Sequence, residues 1–234
     1  MAGKCPILKK LIYVPIIHTS ADLGSLAKDV SNRGILVLGE ELWEKHLKTV
    51  DNFWDVISDY FDLLDVSGFK IYQDGMMAEG EIALKMVEDG IKCGSKNFEV
   101  ILKLIKKGAV LIKTEDINLV KEERDMLLKL TKAKTRREKL IVSMKYKINK
   151  NELLKKRDEF IAKRIDMTLK QGETGIIFIG AYHNIKRYLS SGFKIYEIKD
   201  REKVKEYQKL LPFYTKNKAQ FEKLSRYLVT KIDQ

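Results

Sequence analysis

The chain has 234 residues, 44% hydrophobic and 33% charged, with 45 Lys or Arg against 33 Asp or Glu and a formal net charge of +12. That length and apolar content support a full hydrophobic core and exclude a disordered chain, and no apolar run approaches the roughly 18 residues of a membrane span. Cys5 and Cys93 stand far apart in no metal-ligand spacing, which does not indicate a disulfide framework and points to a reducing cytoplasm.

The charge excess invites an anionic partner, although Lys mixed with Glu along nearly every helix is also what a solvated surface looks like. The first ten residues, interrupted by Lys4, Lys9 and Lys10, do not read as a signal peptide.

In chain order, residues 11–17 (Leu-Ile-Tyr-Val-Pro-Ile-Ile) read as the first strand, with Pro15 marking an edge or bulge near its end. His18-Thr19-Ser20 follows at once. Ser20 or Asp22 is a cap for a helix to about residue 32, with Leu23, Leu26, Ala27 and Val30 at helical spacing and Gly34 as its end. Residues 35–38 are a short apolar run, ambiguous between strand and helix start. Residues 40–65 form a helix whose apolar positions, among them Trp43, Phe53, Trp54 and Phe61, step by three and four; these aromatics belong to a core rather than a cofactor box.

Residues 69–75 read as the second strand and its turn, so Asp74 is a strand-end carboxylate. Two helices over 79–91 and 95–107 are parted by Cys93-Gly94, and residues 109–113 form the third strand. Thr114-Glu115-Asp116 ends that strand and caps the next helix. Residues 117–150 read as a helical, strongly basic insertion with a break at 149–151; from 129 to 157 twelve Lys or Arg stand against two Glu.

Residues 152–170 form a helix with Leu154, Asp158, Ile161, Ile165 and Leu169 on one stripe. Asp158 thus lies on an apolar face, where a carboxylate needs a partner. That partner is either a structural salt bridge or cap, or a residue that Asp158 orients for chemistry. Next comes Gly175-Ile-Ile-Phe-Ile-Gly180, a strand buried on both faces, with Gly180 as a tight exit and His183 just beyond. A short helix over 184–189, a fifth strand over 193–198 and two helices over 201–211 and 216–230, parted by Pro212, complete the chain.

Ser67-Gly-Phe-Lys-Ile-Tyr72 recurs letter for letter as Ser191-Gly-Phe-Lys-Ile-Tyr196, and an apolar strand ending in His precedes each copy. The expected fold is therefore a single α/β domain over 1–234. Its central mixed or parallel sheet has two pseudo-repeated halves, with helices on both faces and the helical insertion of residues 117–150. Such a duplication places His18 and His183 near one another, at the strand ends where open α/β sheets bind ligands.

Only three histidines occur, and His46, inside the Trp-rich helix, looks incidental. Two imidazoles with a carboxylate can hold a divalent metal ion and activate its water for hydrolysis. Without metal, one His acts as general base and the other as electrophile. Candidate carboxylates are Asp74, Glu79, Glu115 and Asp158, with Asp74 favoured for its strand-end position; the metal set is then His18, His183 and Asp74. No phosphate-binding glycine loop, zinc finger or helix-turn-helix pattern occurs.

Arg157-Asp158-Glu-Phe-Ile-Ala162, then Ile165, Leu169 and Gly175-Ile-Ile-Phe-Ile-Gly180-Ala-Tyr-His183, resembles the Arg-Asp…Gly-x-x-His block of the TraB/Tiki/erythromycin-esterase/ChaN-like superfamily. Pro15-Ile-Ile-His18 is similar to the superfamily's first Gly-x-x-His, with Pro15 in place of the glycine. The resemblance implies an α/β fold with two related halves, and His18 and His183 as paired site residues supported by Arg157 and Asp158. It also implies activities that range over metal-dependent peptidases, esterases and haem binders.

The expectation is a cytoplasmic hydrolase, metal-assisted, that cleaves a peptide, ester or similar bond of a small-molecule or peptide substrate, with no membrane partner. The alternative is a non-enzymatic binding protein that uses the basic helical face for nucleic acid or another anionic partner.

Overall fold

Our computed structural model describes residues 8–19, 21–22 and 27–233; Cys5, Ser20, Leu23 and Leu26 lie outside them. Five apolar runs become strands: β1 Lys9–Ile16, β2 Lys70–Gln73, β3 Val110–Ile112, β4 Thr174–Gly180 and β5 Phe193–Glu197. They form one sheet in the order β3-β2-β4-β1-β5, and every pairing is parallel. The helices are α1 Ala27–Leu38, α2 Glu40–Asp62, α3 Gly80–Lys92, α4 Lys96–Lys106, α5 Ile117–Lys132, α6 Arg136–Thr168, α7 Arg201–Leu210 and α8 Lys218–Val229. Among the described residues no helix is long and apolar enough to cross a membrane.

Strand side chains alternate between two apolar layers. Ile12, Val14, Ile16, Ile71, Ile176 and Phe178 pack into the larger layer, with α2, α3, α4, α7 and α8. The α2 aromatics belong to this core: the Phe61 and Trp54 rings lie 5.7 Å and 6.4 Å from that of Phe178. Leu11, Tyr13, Tyr72, Ile177 and Ile179 face the other way and are covered by Ile161 and Ile165 of α6 and by Leu169 just after it. Strands buried on both faces explain why β1 and β4 read as continuous apolar runs rather than as alternating ones.

Pro15 is not at a sheet edge, since β1 lies between β4 and β5. The Tyr13 carbonyl accepts from the Ile198 amide, so odd positions of β1 face β5. Two residues on, Pro15 has no N–H to offer that side, and β5 ends there at Glu197. The proline therefore shortens β5 without disturbing β4, which stays in register with β1 up to Ile16 and Gly180.

Two boundaries differ from expectation. The first helix runs through Gly34 and takes in residues 35–38. A Cβ at Gly34 would lie 2.5 Å from the Trp43 ring, so this glycine permits a close helix–helix approach and does not end a helix. Likewise α6 continues without interruption through residues 149–151. The break comes at 133–135, where the Thr135 hydroxyl accepts from the Glu138 amide and the Glu138 carboxylate accepts from the Thr135 amide. The basic stretch 117–150 is thus α5 plus the outer half of α6, and the inner half of the same helix packs on the sheet.

The two Ser-Gly-Phe-Lys-Ile-Tyr copies lie on β2, beside β4, and on β5, beside β1. Their environments differ: Ile71 and Tyr72 are fully buried, whereas Tyr196 is 40% exposed. The sheet does not by itself establish two repeated halves. What matters for the site is the pair of adjacent strands β1 and β4. The chain leaving β1 joins the layer containing α2, and the chain leaving β4 joins the layer containing Ile185 and α6. Exits that part to opposite faces leave a crevice between the carboxyl ends of the two strands.

Candidate active site

Strand register sets the site. Ile16 stands opposite Gly180, and Gln73 stands opposite Phe178. His18, His183 and Asp74 therefore leave three adjacent parallel strands at nearly one level. They line a cleft of about 400 Å³ whose outer wall is α5 and α6, through Val120, Glu123, Arg124, Leu127, Tyr146, Lys150 and Leu154.

Asp74 is the hub. Its Oδ1 accepts from Arg157 Nη2 at 2.6 Å. Its Oδ2 accepts from the Gly180 amide at 3.0 Å and lies 3.1 Å from His18 Nε2. His183 Nε2 lies 3.6 Å from the same oxygen. The sharp feature of Gly180 is this crowding, not its backbone angle, because it is not among the glycines with positive φ. A Cβ there would lie 3.2 Å from Asp74 Oδ2 and 3.3 Å from His18 Nε2. Gly180 is thus a place where the site presses on the backbone, not the tight exit expected from the sequence.

Helix α6 contributes neighbouring residues that point two ways. The buried Arg157 guanidinium bonds Asp74, Glu115 and Glu123. Asp158 Oδ1 pairs with His183 Nδ1 at 2.6 Å, and its Oδ2 accepts from the Asn184 amide at 2.8 Å. The cost of a carboxylate on an apolar helix face is met by these two donors. Arg201 Nη1 donates to the His183 carbonyl at 2.8 Å and fixes the backbone after β4.

The histidines have different access. The His183 side chain is 5% exposed, and that of His18 is 34% exposed. Nε2 of His18 is held by Asp74, and its Nδ1 makes no hydrogen bond among the described residues. Burial opposes charge on both rings, but the carboxylates outweigh it. Asp74 raises the pKa of His18, and Asp74 with Asp158 raises that of His183. Burial alone would raise the Asp74 carboxyl; His183, Arg157 and His18 instead hold it well below the usual range. Glu115 goes the other way, because its burial outweighs the Arg157 charge beside it.

These residues do not fit a metal ion as they are arranged. Both imidazoles approach the Asp74 carboxylate through Nε2, and that carboxylate is already taken by Arg157 and the Gly180 amide. A metal ligand needs a ring lone pair with no other partner; both ring nitrogens of His183 already face carboxylates, and the guanidinium on Asp74 would repel a divalent cation. Among the described residues no group of three or more His, Cys, Asp or Glu is arranged to hold a metal.

Of the residues singled out in the sequence, His18, Asp74, Arg157, Asp158 and His183 come together, and Glu115 joins them through Arg157. Glu79, just before α3, does not; its carboxylate lies 3.9 Å from Arg164 of α6. His46 is in the core with its Nδ1 2.9 Å from the Tyr207 hydroxyl, and burial lowers its pKa to about 4.

Asp22, expected as a helix cap, accepts from the Thr19 amide at 2.7 Å and from the Ser95 hydroxyl, and it borders the cleft. Sequence reasoning missed Glu123, Tyr146, Lys150, Tyr182 and Gln208. Nothing in the pattern of a charged helix marks which turn faces a sheet edge. No protein-family model, curated protein or solved structure matches the chain.

Proposed function

We propose that the protein is a hydrolase that cleaves an ester or amide by general base catalysis, without a metal ion in the reaction. The observation that supports this most directly is the His18–Asp74–Arg157 chain at the floor of an open cleft. It is a partly exposed imidazole whose Nε2 is held by a carboxylate that is itself held ionised by a buried guanidinium. The TraB/Tiki/erythromycin-esterase/ChaN-like resemblance points to the same histidines and the same Arg-Asp pair.

Asp74 fixes the His18 tautomer with the proton on Nε2, which leaves the Nδ1 lone pair for water. Water attacks the substrate carbonyl carbon and its proton passes to Nδ1. The oxyanion forms beside His183, whose Nε2–H is only loosely shared with Asp74 at 3.6 Å. When the tetrahedral species collapses, the carbon–oxygen or carbon–nitrogen bond breaks. The leaving group takes the proton back from Nδ1, and the acid and the alcohol or amine depart. Asp158 keeps the His183 ring oriented throughout.

The test is hydrolysis of 4-nitrophenyl butyrate by purified protein beside His18→Ala and His183→Gln. A positioned general base contributes roughly 100-fold or more, so a loss of that size in His18→Ala is expected. Equal rates in wild type and His18→Ala would sink the reading.

A further inference from the structure

The cleft wall opposite the histidines carries a charge that the proposed chemistry does not use. Lys150, from the outer half of α6, places its Nζ 5.2 Å from the Tyr182 ring centroid and 5.7 Å from that of Tyr146. Both distances are within the range of a cation–π contact, which positions an ammonium without neutralising it. Lys150 makes no ion pair among the described residues, and neither does Arg124 on the facing helix α5.

The acids of the cleft are committed elsewhere. Asp74 and Glu123 hold Arg157, and Asp22 holds Thr19 and Ser95. The cleft therefore has a polar floor with the histidines, an apolar wall of Val120, Leu127 and Leu154, and a fixed, unpaired cation.

We infer that Lys150, held by Tyr146 and Tyr182, is an anion subsite, and that the substrate is an apolar acyl compound carrying a carboxylate or phosphate away from the bond that is cut. That a bond is cut rests on the hydrolase reading; the anion subsite stands on the wall residues. The basic stretch 129–157 gains a specific role from it, since at least Lys150 and Arg157 face the cleft while Arg136, Arg137, Lys139, Lys145 and Lys147 are exposed.

The experiment measures binding of hexanoate, hexyl phosphate and hexan-1-ol by calorimetry or ligand-observed NMR. The proteins are the full chain, Lys150→Met and Lys150→Arg, each first shown to fold by circular dichroism. One opposite charge at contact distance in a half-open cleft is worth roughly tenfold in affinity. We expect at least one of the two anions to bind roughly tenfold tighter than the alcohol, and the two arms identify which. We also expect Lys150→Met to lose that preference and Lys150→Arg to keep it.

Failure of both anions to bind, equal binding of anions and alcohol, or an undiminished preference in Lys150→Met overturns the inference. A separate arm compares turnover of 4-nitrophenyl hydrogen adipate with that of 4-nitrophenyl hexanoate. Anion binding without turnover of either ester counts against the hydrolase reading and leaves the subsite standing, and turnover without anion preference does the reverse.

Discussion

The Gly180 amide donates to Asp74 Oδ2 at 3.0 Å, and there is no room at Gly180 for even a methyl group without moving that carboxylate or His18. One residue at the end of β4 therefore both binds the hub of the site and sets the distance between its parts. A Gly180→Ala protein should fold, since the backbone there needs no positive φ. It should hydrolyse esters roughly 10- to 100-fold more slowly, because a displacement of tenths of an ångström to an ångström spoils attack geometry. Steady-state kinetics beside a thermal melt checks this.

Arg157 is the residue whose loss should cost most stability. It is 5% exposed and satisfies Asp74, Glu115 and Glu123 together. Removing one partner of a buried ionic group leaves the others uncompensated, at about 3–5 kcal/mol. Urea unfolding of Arg157→Met should show a loss of that order. Arg157→Met combined with Glu115→Gln should recover part of it, since Glu115 is the acid whose burial already favours the neutral form.

Stability should fall on both sides of a mildly acidic optimum. Asp74 is depressed in the folded state, so its contribution is full above the ordinary carboxylate pKa of about 3.9 and is lost as pH falls through the depressed folded value. His18 and His183 are raised, so their contribution is full below about 6.5 and is lost as pH climbs through their folded values. Denaturation midpoints measured from pH 3 to 9 should trace both limbs, and Asp74→Asn should flatten each of them.

Chelation should not matter. With the Asp74 carboxylate already taken by Arg157 and the Gly180 amide, dialysis against EDTA is expected to leave ester hydrolysis within about twofold of the untreated rate. A tenfold loss, restored by one divalent ion, would overturn the metal-free mechanism.

Much of this site was legible in the sequence because strand ends are. The apolar runs before His18, Asp74 and His183 have lengths set by a two-face-buried sheet, and a parallel register carries their ends to one level. Asp158 betrayed itself as a carboxylate on an apolar stripe, and Arg157 came with it only through the family resemblance. The cleft wall was not legible. Tyr146 and Lys150 lie on a helix whose apolar and charged positions change face between its outer and inner halves, so no single period marks them. The assumed break at 149–151 hid the continuity that carries Lys150 to the site. The metal expectation rested on residue types alone, and those say nothing of an arginine directed at the same carboxylate.

The most direct measurement is kcat/KM against pH for a 4-nitrophenyl ester, in wild type and Asp74→Asn. If His18 is the base and Asp74 raises its pKa, the wild-type rate rises along a limb centred above 6.5, the ordinary histidine value. In Asp74→Asn that limb moves to lower pH and its plateau drops roughly 100-fold or more. A limb that stays in place with its plateau unchanged would contradict the account.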